Sequence, residues 1–157
     1  MQNWLGRNAL ILLIGVACTL SFFFLPRCTF SREFSLAGSL FYSFSHANIF
    51  HLSANIYALY LFKPRFSTCV AAYFSAVTAS LLPFSCMAEP TCGLSAFVFA
   101  AYARKYCLWR LPLHRIFIIN LVFAILPHFN WKIHLISFIV SYSYWYARSK
   151  VRASKSR

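Results

Sequence analysis

The chain has 157 residues, of which 61% are apolar, 20% aromatic and 11% charged, and its fifteen Lys and Arg against two acidic residues give a formal charge of +13. Soluble domains are roughly a quarter charged and disordered chains are poor in aromatic and branched apolar residues, so this balance argues against both. A nucleic-acid binder would account for the charge but not for eighteen Phe and a mean hydropathy of +0.64, and no nucleic-acid partner is expected.

Apolar runs occupy 9–25, 49–62, 67–84, 93–103, 116–129 and 133–147. A helix crossing hydrocarbon takes about 20 apolar residues, and runs this rich in Leu, Phe and Ala read as helices. The expectation is an all-α membrane protein: one domain over 1–157, six transmembrane helices in a bundle, and no second domain. Runs shorter than a span are accommodated if they begin inside a protein-lined cavity. The first run follows Arg7 and resembles a secretory signal, but its length and the runs behind it read as an uncleaved span. Gly15-Val16-Ala17-Cys18 lacks the leading aliphatic residue of a lipoprotein cleavage box. The connection 26–44, with Phe34, Leu36, Leu40 and Phe41 among Ser and Gly, reads as a partly inserted interfacial loop.

Six crossings from an internal N-terminus put twelve of the fifteen cations on one side. These are Arg7; Lys63 and Arg65; Arg104, Lys105, Arg110 and Arg115; and Arg148, Lys150, Arg152, Lys155 and Arg157. Arg27, Arg32 and Lys132 fall on the other. Cytoplasmic loops carry such an excess, so both termini are expected in the cytoplasm, in a bacterial inner membrane. The basic tail 148–157 then reads as a stop-transfer signal and an anchor to anionic headgroups of the bilayer.

Ionisable residues within apolar runs are functional candidates. His114 sits in a basic loop and His128 beside Pro127 at a helix end, and neither calls for a role. His46, His51 and Asn55 cluster at the start of the second run, with His51 and Asn55 on one helix face. Ser95 opens the fourth, flanked by Gly93 and Ala96, whose small side chains let another group approach its hydroxyl. The Ser95 amide is an orphan donor at a helix start. His134 leads a stripe with Ser137 and Ser141, small residues that let a neighbouring helix come close. In the expected topology all three clusters lie at one depth below the outer surface.

Ser becomes a nucleophile when a base takes its proton, and His is the usual base. Ser95 and His134 supply such a pair. The only carboxylates, Glu33 and Glu89, lie in loops off the His134 stripe, so a dyad is expected and not a Ser-His-Asp triad. Phe99, one turn after Ser95, points toward the same ring. The Ser95 amide, Asn55 and His51 are candidate oxyanion donors; His46 has a supporting role. Paired with His46, His51 makes no metal site, since no Cys or carboxylate stands at ligand spacing, and no metal or cofactor is expected. Cys18, Cys69 and Cys107 read as small hydrophobes, while Cys86 with Cys92, or either with Cys28, leaves a disulfide open.

This pattern of His46, His51 and Asn55, Gly93-Leu94-Ser95, and His134 with Ser137 and Ser141 resembles the rhomboid intramembrane serine proteases, over 9–147. The resemblance implies a six-span rhomboid-like bundle that cleaves peptide bonds in or next to transmembrane segments of other membrane proteins. Ser95 would be nucleophile, His134 base, His51 and Asn55 oxyanion-hole side chains, and Phe99 the aromatic residue packed on the base. Water would enter beneath the loop 85–91. Ala96 stands where the family commonly has Gly, Ser137 and Ser141 where it usually has Gly, and Ser31-Arg32-Glu33 where it has a Trp-Arg pair. A sorting-type protease that trims C-terminal anchors is a related reading. A catalytically silent rhomboid-like client-binding or chaperone protein is the alternative, although such proteins typically lack the Ser or His present here. A transporter subunit would call for carboxylate pairs or broken helices at midplane, and none is seen.

Overall fold

The computed structural model describes residues 4–24, 36–83, 91–125 and 129–155. Among these the chain is helical: α1 Trp4–Phe24, α2 Leu36–Phe41, α3 Ile49–Phe62, α4 Phe66–Ser80, α5 Ser95–Trp109, α6 His114–Ile125 and α7 Trp131–Lys155. The boundaries have local causes. Helix α3 ends where Lys63 turns left-handed (φ 46°) before Pro64, and α5 ends the same way at Arg110 (φ 50°) before Pro112. A left-handed residue followed by Pro closes a helix because Pro disfavours α geometry in the residue before it and cannot continue the ladder. Helix α7 meets no Gly or Pro and runs on through the basic tail. Leu36–Phe41, within the connection read as an interfacial loop, is a short helix of its own.

The six-span bundle does not stand. Among the described residues, no helix is long and apolar enough to cross a membrane. Helices α3 to α6 hold 14, 15, 15 and 12 residues, which is about 18–22 Å at 1.5 Å per residue, against hydrocarbon about 30 Å thick. Helix α1 has 21 residues but carries Arg7 and Asn8 near its start. Helix α7 has 25 but bears Lys132 in its first turn and four cations after Ala147. Total apolar content suggested six crossings, whereas spanning is decided helix by helix, on each uninterrupted run. The multi-pass placement in a bacterial inner membrane, with both ends cytoplasmic, falls with the spans.

Helix α5 lies at the centre, packed along α7 and α4, with α3 along another side. Its Ala96, Ala100, Ala101 and Ala103 are wholly buried, as are Ala72, Ala76 and Ala79 of α4. Methyl-sized side chains at a contact shorten the distance between helix axes. Close approach brings Ser141 of α7 against α5, where its hydroxyl donates to the Ala100 carbonyl at 2.7 Å. Ser137 donates within α7 to the Ile133 carbonyl. Both hydroxyls are thereby satisfied without water, which is what allows polar residues at fully buried positions.

Candidate active site

Helices α3, α5 and α7 contribute their first turns to one end of the bundle. Ser95 is the first residue of α5 and half-buried; His134 is the fourth of α7 and only 3% exposed. Their side chains meet, with His134 Nε2 2.7 Å from Ser95 Oγ. With the ring proton on Nδ1, Nε2 accepts from the hydroxyl, the protonation state of a base ready to take that proton.

Aromatic rings fix the imidazole. Phe99 stacks on it with centroids 4.9 Å apart and planes 12° from parallel, while Phe129 and Phe123 present edges at 4.9 and 6.0 Å. Nδ1 is buried and has no hydrogen-bond partner among the described residues. Glu33 and Glu89 lie outside the described residues, as do His128, Cys28, Cys86, Ser31, Arg32 and most of the loop 85–91. Among the described residues this ring is held by stacking, in the position where a Ser-His-Asp triad has a carboxylate.

Asn130, which the sequence reading passed over, ties the two halves together. Its Oδ1 accepts from the Ile133 amide at 3.2 Å, and its Nδ2 donates to Thr91 Oγ1 at 2.9 Å. One side chain thus caps α7 just before His134 and anchors the segment leading to Ser95. An Asn three residues ahead of an apolar run is a helix N-cap signal, and it was there to be read.

Gly93 explains how His51 reaches the site. Its φ is +123°, and a Cβ there would stand 3.0 Å from His51 Nε2 and run into Cε1. Only glycine accepts both the backbone angle and the ring lying against it. The Gly93 amide donates to the Tyr42 carbonyl at 2.9 Å, and the Leu94 amide to His46 Nε2 at 3.3 Å. His46 Nδ1 in turn donates to the Phe44 carbonyl at 3.3 Å, so both ring nitrogens of His46 serve to hold the Ser95 loop. Asn48 caps α3, accepting from the His51 amide at 2.8 Å. One turn along, Asn55 is buried, and its Nδ2 and His51 Nε2 have no partner among the described residues. A buried polar atom without a partner forfeits about 1–3 kcal/mol, a cost that a bound ligand's acceptor would remove.

The rings of His46 and His51 lie 5.4 Å apart by centroid, yet among the described residues no third His, Cys, Asp or Glu joins them to hold a metal ion. No family model, curated protein or solved structure matches this chain.

Burial, followed by the neighbouring His51, lowers His134 to about 3; burial, followed by His51 and opposed by the Phe44 carbonyl, lowers His46 to about 4. Burial lowers His51 as well. All three are neutral at neutral pH, as a base and neutral donors require. For a folded-state value below the unfolded 6.5, stability is complete above about pH 6.5 and is lost as pH falls toward the folded value, because the unfolded chain takes up protons that the folded chain refuses. The midpoint of thermal unfolding is therefore expected to be level from about pH 7 upward and to fall below 6.5, with a shallower acid slope in His46→Gln. A His46→Gln slope equal to that of the parent would remove His46 from this account.

Proposed function

We propose that the chain is a serine endopeptidase acting through a Ser95–His134 dyad, of the rhomboid type in its catalytic groups, and that it cleaves apolar peptide segments in or beside the membrane spans of other proteins. The observation that carries this reading is the 2.7 Å contact between Ser95 Oγ and His134 Nε2. Oγ attacks the scissile carbonyl carbon as Nε2 takes its proton. The imidazolium then passes that proton to the leaving amine as the peptide C–N bond breaks, leaving an acyl ester on Ser95. Water, deprotonated by Nε2, hydrolyses the ester and restores the hydroxyl. Phe99, at 4.9 Å from the ring, lies within cation–π range of the transient imidazolium. The developing oxyanion draws on the Ser95 amide, Asn55 Nδ2 and His51 Nε2–H.

An alkyl fluorophosphonate tests the nucleophile without knowledge of the natural substrate. Attack by Oγ on phosphorus expels fluoride and leaves a stable phosphonyl ester. Mass spectrometry is expected to locate that adduct on Ser95, and both Ser95→Ala and His134→Ala should abolish it. A folded protein that is not labelled, or a Ser95→Ala variant labelled as well as the parent, would refute the peptidase reading and favour a silent client-binding protein.

A further inference from the structure

At the other end of α5 the chain builds a second, differently charged recess. A cavity of about 140 Å³ is lined by Lys63, Arg65, Thr68, Arg104, Lys105 and Trp109, among others. The fold causes this gathering. The left-handed turn at Lys63 and the following Pro64 carry Lys63 and Arg65 from the end of α3 to the start of α4, while the packing of α4 on α5 brings Arg104 within 3.0 Å of Thr68 Oγ1. Aromatic faces lie against three of the cations: Lys63 Nζ is 4.9 Å from the Tyr60 ring, the Arg104 guanidinium 4.8 Å from Trp145, and Lys105 Nζ 4.6 Å from Trp109 and 5.4 Å from Phe62. Arg65, the cap residue of α4, and Thr68 in its first turn both line the recess. The recess thus gathers four formal charges and a hydroxyl.

We propose that this recess binds a phosphate group, either as a free phosphate or as the headgroup of a phospholipid. The recess has room for a phosphate group. The guanidinium supplies a planar fork, the two lysines supply point charges, and Thr68 supplies a hydroxyl. Ser95 and Arg104 are nine residues apart on one helix, about 13 Å along its axis. The site is therefore separate from the dyad, and its test is independent of peptidase activity.

The 157-residue chain is titrated with inorganic phosphate by calorimetry at low ionic strength. It is also floated with phosphatidylcholine vesicles with and without phosphatidic acid. Lys63→Gln with Lys105→Gln is expected to weaken binding by about tenfold or more, and Arg104→Lys, which keeps the charge but loses the fork, by several-fold. Lys150→Gln with Arg152→Gln in the tail is expected to stay within about twofold of the parent, and added salt weakens binding throughout. Phosphate binding lost in the recess variants identifies a free phosphate site. Vesicle binding that needs phosphatidic acid and is lost in the same variants identifies a headgroup site. If the folded parent binds neither, or if both recess variants match the parent while the tail variant loses binding, the proposal is overturned. Circular dichroism melts establish that each variant is folded.

Discussion

Ser95→Ala is expected to lower kcat/KM on an apolar peptide substrate by about 10⁴-fold or more, and His134→Ala by a similar factor. Each tenfold corresponds to about 1.4 kcal/mol of transition-state stabilisation, so the loss is roughly 5–6 kcal/mol. In the proposed mechanism nucleophile and base act as one unit across the 2.7 Å contact, and a base with nothing to deprotonate contributes nothing. The double variant should therefore be no slower than the worse single variant, a non-additivity that two residues serving only as packing would not produce. Initial rates on a quenched peptide would measure this, with circular dichroism to establish that the variants fold. The reading fails if rates are unchanged in both single variants. Phe99→Leu separates orientation from proton transfer: it keeps bulk but removes the stacked face, and should lower kcat more than it changes KM.

His134 was legible as facing a neighbouring helix because Ser137 and Ser141 share its stripe, and Ser95 as approachable because Gly93 and Ala96 flank it. Serine spacing on α7 says which of its faces approaches a neighbour, and that face fixes what sits at its end. Phe99 follows by the same i, i+4 logic, and its stacking on His134 needs no other information. Gly93 was legible as a site of close approach, but not what approaches it: that the His51 ring lies there depends on the turn from Tyr42 to Asn48, whose hydrogen bonds to Gly93 and Leu94 join residues about fifty positions apart. The architecture was misread for a physical reason. Composition reports how much apolar surface exists, and says nothing of how long each helix runs before a charge or a left-handed cap ends it. The shared level of the three clusters, attributed to depth in a bilayer, arises because α3, α5 and α7 begin at one end of the bundle.

His51→Ala and Asn55→Ala are each expected to reduce kcat by about 10²–10³-fold with little change in KM, the signature of donors that engage the oxyanion and not the ground-state carbonyl. His51 Nε2 and Asn55 Nδ2 are buried and without described partners, so removing either relieves an unsatisfied group. Thermal stability should hold or rise by about 1–3 kcal/mol less the packing lost. That opposition distinguishes the two roles: a residue retained for packing loses stability and activity together, whereas an oxyanion donor loses activity alone. Gly93→Ala approaches the same donor from the backbone. It forces a Cβ into the His51 ring at a φ of +123°, at a strain cost of about 1–3 kcal/mol, and should lower kcat by displacing His51 while leaving Ser95 reactive toward a fluorophosphonate. If His51→Ala and Asn55→Ala instead raise KM at constant kcat, both residues bind substrate uniformly and the oxyanion must rest on the Ser95 amide with a donor not yet named.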